Sequence, residues 1–273
     1  MACAHPLHLR YKDYGTITVP CGNCVCCKSL RALVWSDRIR AEVHDNYKSC
    51  LFLTLTYSDD FVPYAFNEDG DVRETLSPLH FNGFIKGLRN RLYYFDKSTR
   101  FKFFGCGEYG GKFGRPHYHL LLMGLPNVDF IHDCVKRLWT FGHFDISAPR
   151  STEDVVNYVT GYVLKKYSGK VALEKYGVSI PPFQRSSKNI GLTRYLQRRD
   201  KIIEDGGLMV RGKLHPIPHS ILSRPAFEPL AKKLKSQFFL NNLVHADPDK
   251  EDRDLVKALK RENELKTLSR RNK

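Results

Sequence analysis

Two histidines, His117 and His119, stand two residues apart at the head of an apolar run that ends at Met123. On a β-strand that spacing sends both imidazoles from one face, about 7 Å apart at Cβ. The separation suits two ligands of one metal ion. Glu108 ends the strand before them, across a glycine-rich basic connection (residues 110–116) that carries Lys112 and Arg115. Its carboxylate can therefore reach the same face, with Asp145 as the fallback. Two imidazoles and a carboxylate leave positions open for water and substrate, as a catalytic site requires. Mg²⁺ and Mn²⁺ both suit that donor set. The plainer alternative is a solvated strand face that carries two histidines and no ion.

A second constellation follows at Tyr158 and Tyr162. Four apart on a helix, they share one face, and Lys165 and Lys166 come next on the adjoining surface. Val155, Val156, Val159 and Val163 supply the apolar side of that helix, so packing is the competing role for both rings. The third constellation is thiol. Of eight cysteines, Cys21, Cys24, Cys26 and Cys27 crowd one stretch, while Cys50, Cys106 and Cys134 stand apart. Cys21, Cys24 and Cys27 need a fourth ligand to close a tetrahedral Zn²⁺ site. Cys3 is the natural candidate, with His5 or Cys26 as alternatives, and reduced thiols packed beside a helix are the other option.

The elements that must position these groups are legible in the hydrophobic pattern. Residues 28–47 read as a helix with an apolar stripe through Leu30, Leu33, Val34, Ile39 and Val43. Residues 51–57 alternate as a strand, and Ser77-Pro78 caps a helix that continues through Leu92. Strands at 101–107 and 117–123 precede a helix at 128–139 and a short strand at 143–147. Ser151, with Asp154 three residues on, caps a helix that runs to about Ser168. The order is β-α-β-β-α-β and then a helix. It predicts an α+β domain: an antiparallel sheet of about four or five strands with helices on one face, close to the ferredoxin-like or RRM-like arrangement. The chain divides into a Cys-rich segment and helix (1–48), a core (49–170) and a basic C-terminal extension (171–273). Its last part opens at Asp247-Pro248 and reads as an exposed helix.

Composition narrows the partner. The chain has 273 residues with 44 Lys and Arg against 29 Asp and Glu, a net charge of +15. A surplus of that size attracts polyanions, with nucleic acid the first expectation. With 42% apolar residues there is enough for a core, which excludes wholesale disorder. No apolar run approaches the roughly 18 residues of a spanning helix, and the N-terminus has no apolar signal segment. The expectation is a soluble protein with no membrane partner.

Taken together, these motifs resemble those of the HUH endonucleases that start rolling-circle replication. The strand Phe52-Leu53-Thr54-Leu55-Thr56-Tyr57 is similar to their first motif, His117-Tyr118-His119 to the second, and Tyr158 through Lys165 to the third. More narrowly, the chain resembles the initiators of microviruses, above all the gokushovirus branch. That likeness rests on Cys3-Ala4-His5-Pro6, Pro20-Cys21-Gly22-Asn23-Cys24, residues 35–42, Gly107-Glu108-Tyr109-Gly110 and Arg115-Pro116-His117-Tyr118-His119. It covers roughly residues 1–170, and similar N-terminal cysteines in those initiators favour Cys3 as the fourth thiol.

The resemblance implies a metal-dependent DNA nicking and joining enzyme. His117, His119 and Glu108 would hold Mg²⁺ or Mn²⁺ against the scissile phosphate of single-stranded DNA at the viral origin. Tyr158 or Tyr162 would attack, leaving a 5′-phosphotyrosyl link and a 3′-hydroxyl primer. Lys165 or Lys166 would stabilise the phenolate or the phosphate, and Arg115 and Lys112 would contact DNA. A host helicase and polymerase would be partners, in the host bacterial cytoplasm. Two rivals share parts of this pattern: a non-enzymatic RRM-like nucleic-acid binder, and an HUH transposase or plasmid relaxase.

Overall fold

A computed structural model of the chain describes residues 3–11, 15–44, 47–68, 70–111, 114–125, 128–165, 170–210 and 212–243. The elements begin with β1 (Leu7–Tyr11), β2 (Gly15–Val19), α1 (Val25–Val43), β3 (Cys50–Tyr57), β4 (Tyr64–Phe66) and β5 (Val72–Glu74). They continue with α2 (Pro78–Phe95), β6 (Lys102–Tyr109), β7 (Pro116–Met123), α3 (Val128–Leu138), β8 (Gly142–Ser147) and α4 (Thr152–Lys165). Then follow α5 (Lys170–Tyr176), β9 (Phe183–Ser186), α6 (Leu192–Gln197), α7 (Arg199–Asp205), β10 (Leu208–Val210) and β11 (Lys213–His215). Helices α8 (His219–Leu222) and α9 (Glu228–Leu243) complete the described chain. Two compact units result: Ile39–Ile190, and Met1–Arg38 together with Gly191–Lys273. No helix among the described residues is long and apolar enough to cross a membrane.

The unit Ile39–Ile190 is built on a five-stranded sheet in the order β8-β3-β7-β6-β9. Every neighbouring pair in it is antiparallel. Strands β3, β6, β7 and β8 follow the β-α-β-β-α-β chain order and lie in the split βαβ arrangement expected from it. Alternation along β3 and β7 sends Leu51, Leu53, Leu55, Tyr57, Tyr118, Leu120 and Leu122 to one face. There they pack with Phe81, Phe84, Ile85, Leu88 and Leu92 of α2 and with Ile131, Cys134 and Val135 of α3. The α2 start is as read: Ser77 Oγ accepts from His80 N–H at 3.2 Å, with Pro78 at the first helical position.

The expectation of helices on one face is corrected by α4. Helices α2 and α3 lie on the core face, but Tyr158 of α4 stacks on Phe52, which points to the other. The physical reason is that the central strands are buried on both sides. Phe104, Cys106 and Leu121, on the second face, are as buried as their core-facing neighbours and need cover. Ser151 caps α4 by accepting from Asp154 N–H at 3.2 Å. Asp154 in turn accepts from Arg150 N–H at 3.0 Å, one residue before the cap. Strand β9, from the segment set apart in the sequence as an extension, forms the edge beside β6.

One position on β6 tests how tightly α2 sits on the sheet. A Cβ at Gly105 would stand 2.7 Å from Phe81 Cζ and 3.3 Å from Leu120 Cγ, so the helix rests on bare backbone there. Gly105→Ala is expected to destabilise the fold by about 1–3 kcal/mol through overpacking. Urea denaturation would show this as a lower midpoint with an unchanged slope.

The unit formed by Met1–Arg38 and Gly191–Lys273 contains two small hairpins, β1 with β2 and β10 with β11. A buried carboxylate, Asp37, meets His215 Nδ1 at 2.6 Å, and Arg38 lies 4.2 Å from the centre of the Trp35 ring. The charged helix read from Asp247 onward lies outside the described residues.

Candidate metal centre and tyrosine helix

Register fixes the first constellation. In the β6–β7 ladder Glu108 is directly opposite His117 and Cys106 is opposite His119. On the other side of β7, Thr56 faces His117 and Thr54 faces His119. Directly paired residues point to the same face, so the two histidines and Glu108 project together. Glu108 sits inside β6, which runs to Tyr109, and does not end it as the sequence pattern suggested.

The side chains converge as the spacing predicts. His117 Nε2 lies 3.2 Å and His119 Nε2 3.3 Å from the same Glu108 Oε1. Each opposite ring nitrogen has its own partner: His117 Nδ1 is 3.0 Å from the Arg115 carbonyl, and His119 Nδ1 is 3.1 Å from Thr54 Oγ1. Such contacts orient ligand imidazoles and fix which nitrogen faces the ion. The three ligand atoms lie within 4.8 Å of one another, and Glu108 is buried. A buried carboxylate between two half-buried imidazoles is a donor set that a divalent cation would satisfy. Asp145 pairs with Thr54 from the far side of β3, two strands from His119, and is outside this group.

Helix α4 brings both tyrosines over that face. The Tyr162 ring stacks on His119 with centroids 4.5 Å apart and planes 21° from parallel. Tyr158 stacks on Phe52 at 4.2 Å, and the two tyrosine rings meet edge to face at 4.8 Å. Burial pushes both phenols above the ordinary tyrosine range, and the Glu108 carboxylate adds to the effect at Tyr162. Neither hydroxyl ionises unaided near neutrality. Val155, Val156, Val159 and Val163 are buried, so the apolar side of α4 is as read.

The cationic candidates fall differently. Arg115 is engaged within the protein: it forms an ion pair with Asp59, and Nη1 donates to the Tyr57 carbonyl at 3.2 Å. Lys165 is the last residue of α4, whereas Lys112 and Lys166 lie outside the described residues. Thr54 and Phe52 were quoted only as part of a strand. Their partnership with His119 and Tyr158 becomes visible once β3 is paired with β7.

The cysteines also gather. Cys3, Cys21, Cys24 and Cys27 bring their sulfurs within 4.8 Å of one another, and His5 and Cys26 are not in the group.

Comparison with known proteins is consistent with this site. The family model of the replication-associated protein ORF2 matches residues 50–167, a span that includes Glu108, both histidines and both tyrosines. The replication-associated protein ORF2 of Spiroplasma virus 4 is 31% identical over 210 residues, covering 71% of this chain and 62% of that protein. The replication-associated protein VP4 of Bdellovibrio phage phiMH2K is 27% identical over 182 residues, covering 57% of this chain and 50% of that one. The replication-associated protein ORF4 of Chlamydia phage 1 is 25% identical over 238 residues, 80% of this chain and 55% of that one. The chain thus spans between half and 62% of the length of these relatives. No solved structure matches it. The chain is a relative of the replication-associated proteins of microviruses, as its motifs implied.

Proposed function

We propose that this protein initiates replication of a phage genome by nicking and rejoining single-stranded origin DNA through a phosphotyrosyl intermediate. One observation carries the proposal: two imidazole nitrogens and a buried carboxylate oxygen converge, and a tyrosine ring lies flat on one of the imidazoles. His117, His119 and Glu108 would hold Mg²⁺ or Mn²⁺, which supplies charge to the scissile phosphate. Arg115 and Thr54 hold the imidazoles in register through their contacts to Nδ1.

Tyr162 or Tyr158 then supplies the nucleophile. Its phenolic oxygen forms a bond to phosphorus, the bond from phosphorus to the 3′ oxygen breaks, and that oxygen leaves as a 3′-hydroxyl. The phenolic proton leaves the tyrosine as the bond forms, and the 3′ oxygen takes one up. Lys165 or Lys166 and Lys112 are the cations proposed to face the phosphate and the strand. The free 3′-hydroxyl suits a host polymerase, with a host helicase opening the duplex inside the infected bacterium.

Incubation with end-labelled single-stranded origin DNA and Mn²⁺ tests this reading. The expected result is a covalent protein–DNA adduct that survives denaturation and does not form in EDTA. Retarded but uncut DNA under the same conditions would identify a binding protein instead.

A further inference from the structure

A second metal centre is written into the N-terminal segment, independent of the proposed nicking chemistry. Cys3 precedes β1, Cys21 and Cys24 lie in the turn after β2, and Cys27 is in the first turn of α1. The sulfurs of all four lie within 4.8 Å of one another, and Cys3 Sγ to Cys24 Sγ is 3.8 Å. Bonds of about 2.3 Å from one zinc ion to four sulfurs give tetrahedral edges of about 3.8 Å. A disulfide would need the sulfurs at about 2.05 Å.

The backbone is arranged for thiolates. Cys21 N–H donates to Cys3 Sγ at 3.3 Å, Cys24 N–H to Cys21 Sγ at 3.3 Å, and Cys27 N–H to Cys24 Sγ at 3.4 Å. Donors aimed at sulfur offset negative charge in the outer shell of a metal site. Gly22 makes the turn possible: its φ of 76° lies in the left-handed region that a side chain disfavours. Arg31 Nη2 clamps that turn from α1 by donating to the Gly22 carbonyl at 3.1 Å.

We propose that Cys3, Cys21, Cys24 and Cys27 hold one structural zinc ion that fastens both ends of the β1–β2 hairpin to the start of α1. The structure decides between the candidate fourth ligands. Cys26 packs with Ala4 in a small buried cluster, and His5 is exposed. Four thiolates fill the coordination sphere and leave no position for substrate, so the ion is structural. The hairpin needs it: a two-stranded ribbon is marginal alone, and Leu7 and Leu9 of β1 are exposed. Binding energy at such a site is folding energy.

The test uses the full chain, purified reduced from zinc-supplemented cells, beside a His117→Ala variant that removes the other metal group. Elemental analysis is expected to find about one zinc per chain in both. Cobalt exchanged into the His117→Ala protein should show the strong sulfur-to-metal and visible bands of a tetrahedral thiolate site. Cys26→Ser should retain the zinc and Cys24→Ser should lose it. A zinc-free wild type, or zinc lost from Cys26→Ser and kept in Cys24→Ser, overturns the assignment. Should Cys24→Ser fail to fold, alkylation of the native protein decides. Peptides bearing Cys3, Cys21, Cys24 and Cys27 should be protected until a chelator is added, and equal labelling before and after would refute the site. Either failure leaves the DNA adduct experiment unaffected.

Discussion

His117→Ala is expected to abolish metal-dependent cleavage of origin DNA while leaving a folded protein that still binds it. The ion would lose one of its two nitrogen donors, and the remaining pair, His119 with Glu108, cannot hold it in the same place. Charge supplied to a phosphoryl oxygen contributes several kcal/mol, so about 4 kcal/mol, or roughly a thousandfold in rate, should disappear. Glu108→Gln should behave similarly. Thermal melting separates lost binding from lost folding. A ligand at a hundred times its Kd adds about 2.7 kcal/mol of stability, so wild type should melt higher in Mn²⁺. Both variants should lose that rise while their metal-free melting stays close to wild type. His143, exposed on β8, is the control whose replacement should change neither rate nor melting. Cleavage near the wild-type rate in His117→Ala would sink the metal assignment.

The tyrosine pair gives the second large effect. Tyr158→Phe and Tyr162→Phe together should form no covalent adduct, because phenylalanine keeps the packing and lacks the nucleophile. Each single variant should still form one, yet fail at the second transfer that closes a circle, since an esterified tyrosine cannot attack. The structure adds an asymmetry. Tyr162 already lies on His119, whereas Tyr158 must leave its stack on Phe52 to reach the same phosphate. Aromatic pairs contribute about 0.5–1.5 kcal/mol beyond area, so the first cut by Tyr158 should be slower by about two- to tenfold. Single-turnover adduct formation should therefore be reduced more in Tyr162→Phe than in Tyr158→Phe. If one variant loses all adduct and the other also closes circles normally, only one tyrosine is a nucleophile. Tyr167, placed by the sequence on another side of the helix, lies outside the described residues and should be dispensable.

How much of this was legible in the sequence depends on how local the signal is. The histidine pair carries its own geometry, because a spacing of two fixes a shared face on any strand. The same holds for the tyrosines at i and i+4, and for the Ser77 and Ser151 caps, whose hydrogen bonds span three residues. Pairing between distant segments is not local. Nothing near Phe183 says that four residues after Pro181-Pro182 join β6, and nothing within α4 says which side of the sheet it covers. Glu108 looked like the end of a strand because the glycines beyond it weaken the pattern. The ladder continues to the Tyr109–Pro116 pair because the hairpin partner holds it there. The choice among Cys3, His5 and Cys26 was likewise open until the chain brought Cys3 back to the turn after β2.

The order β8-β3-β7-β6-β9 has a consequence for the chain as it leaves the ribosome. Strand β3 waits for both neighbours until β4, β5, α2 and β6 have been made, and pairings that distant are slow to form. Strand β6, which bears Glu108, gains β7 early but must wait for β9, which is made after α3, β8, α4 and α5. At roughly 5–20 residues per second, several seconds of synthesis pass with that side of β6 unpaired. In that interval its free N–H and C=O groups, between apolar Phe104 and Cys106, can template a strand from a neighbouring nascent chain. Dense translation of the message from an actively copied genome therefore favours aggregation at this edge, and the arrival of four residues, Phe183–Ser186, is what closes it.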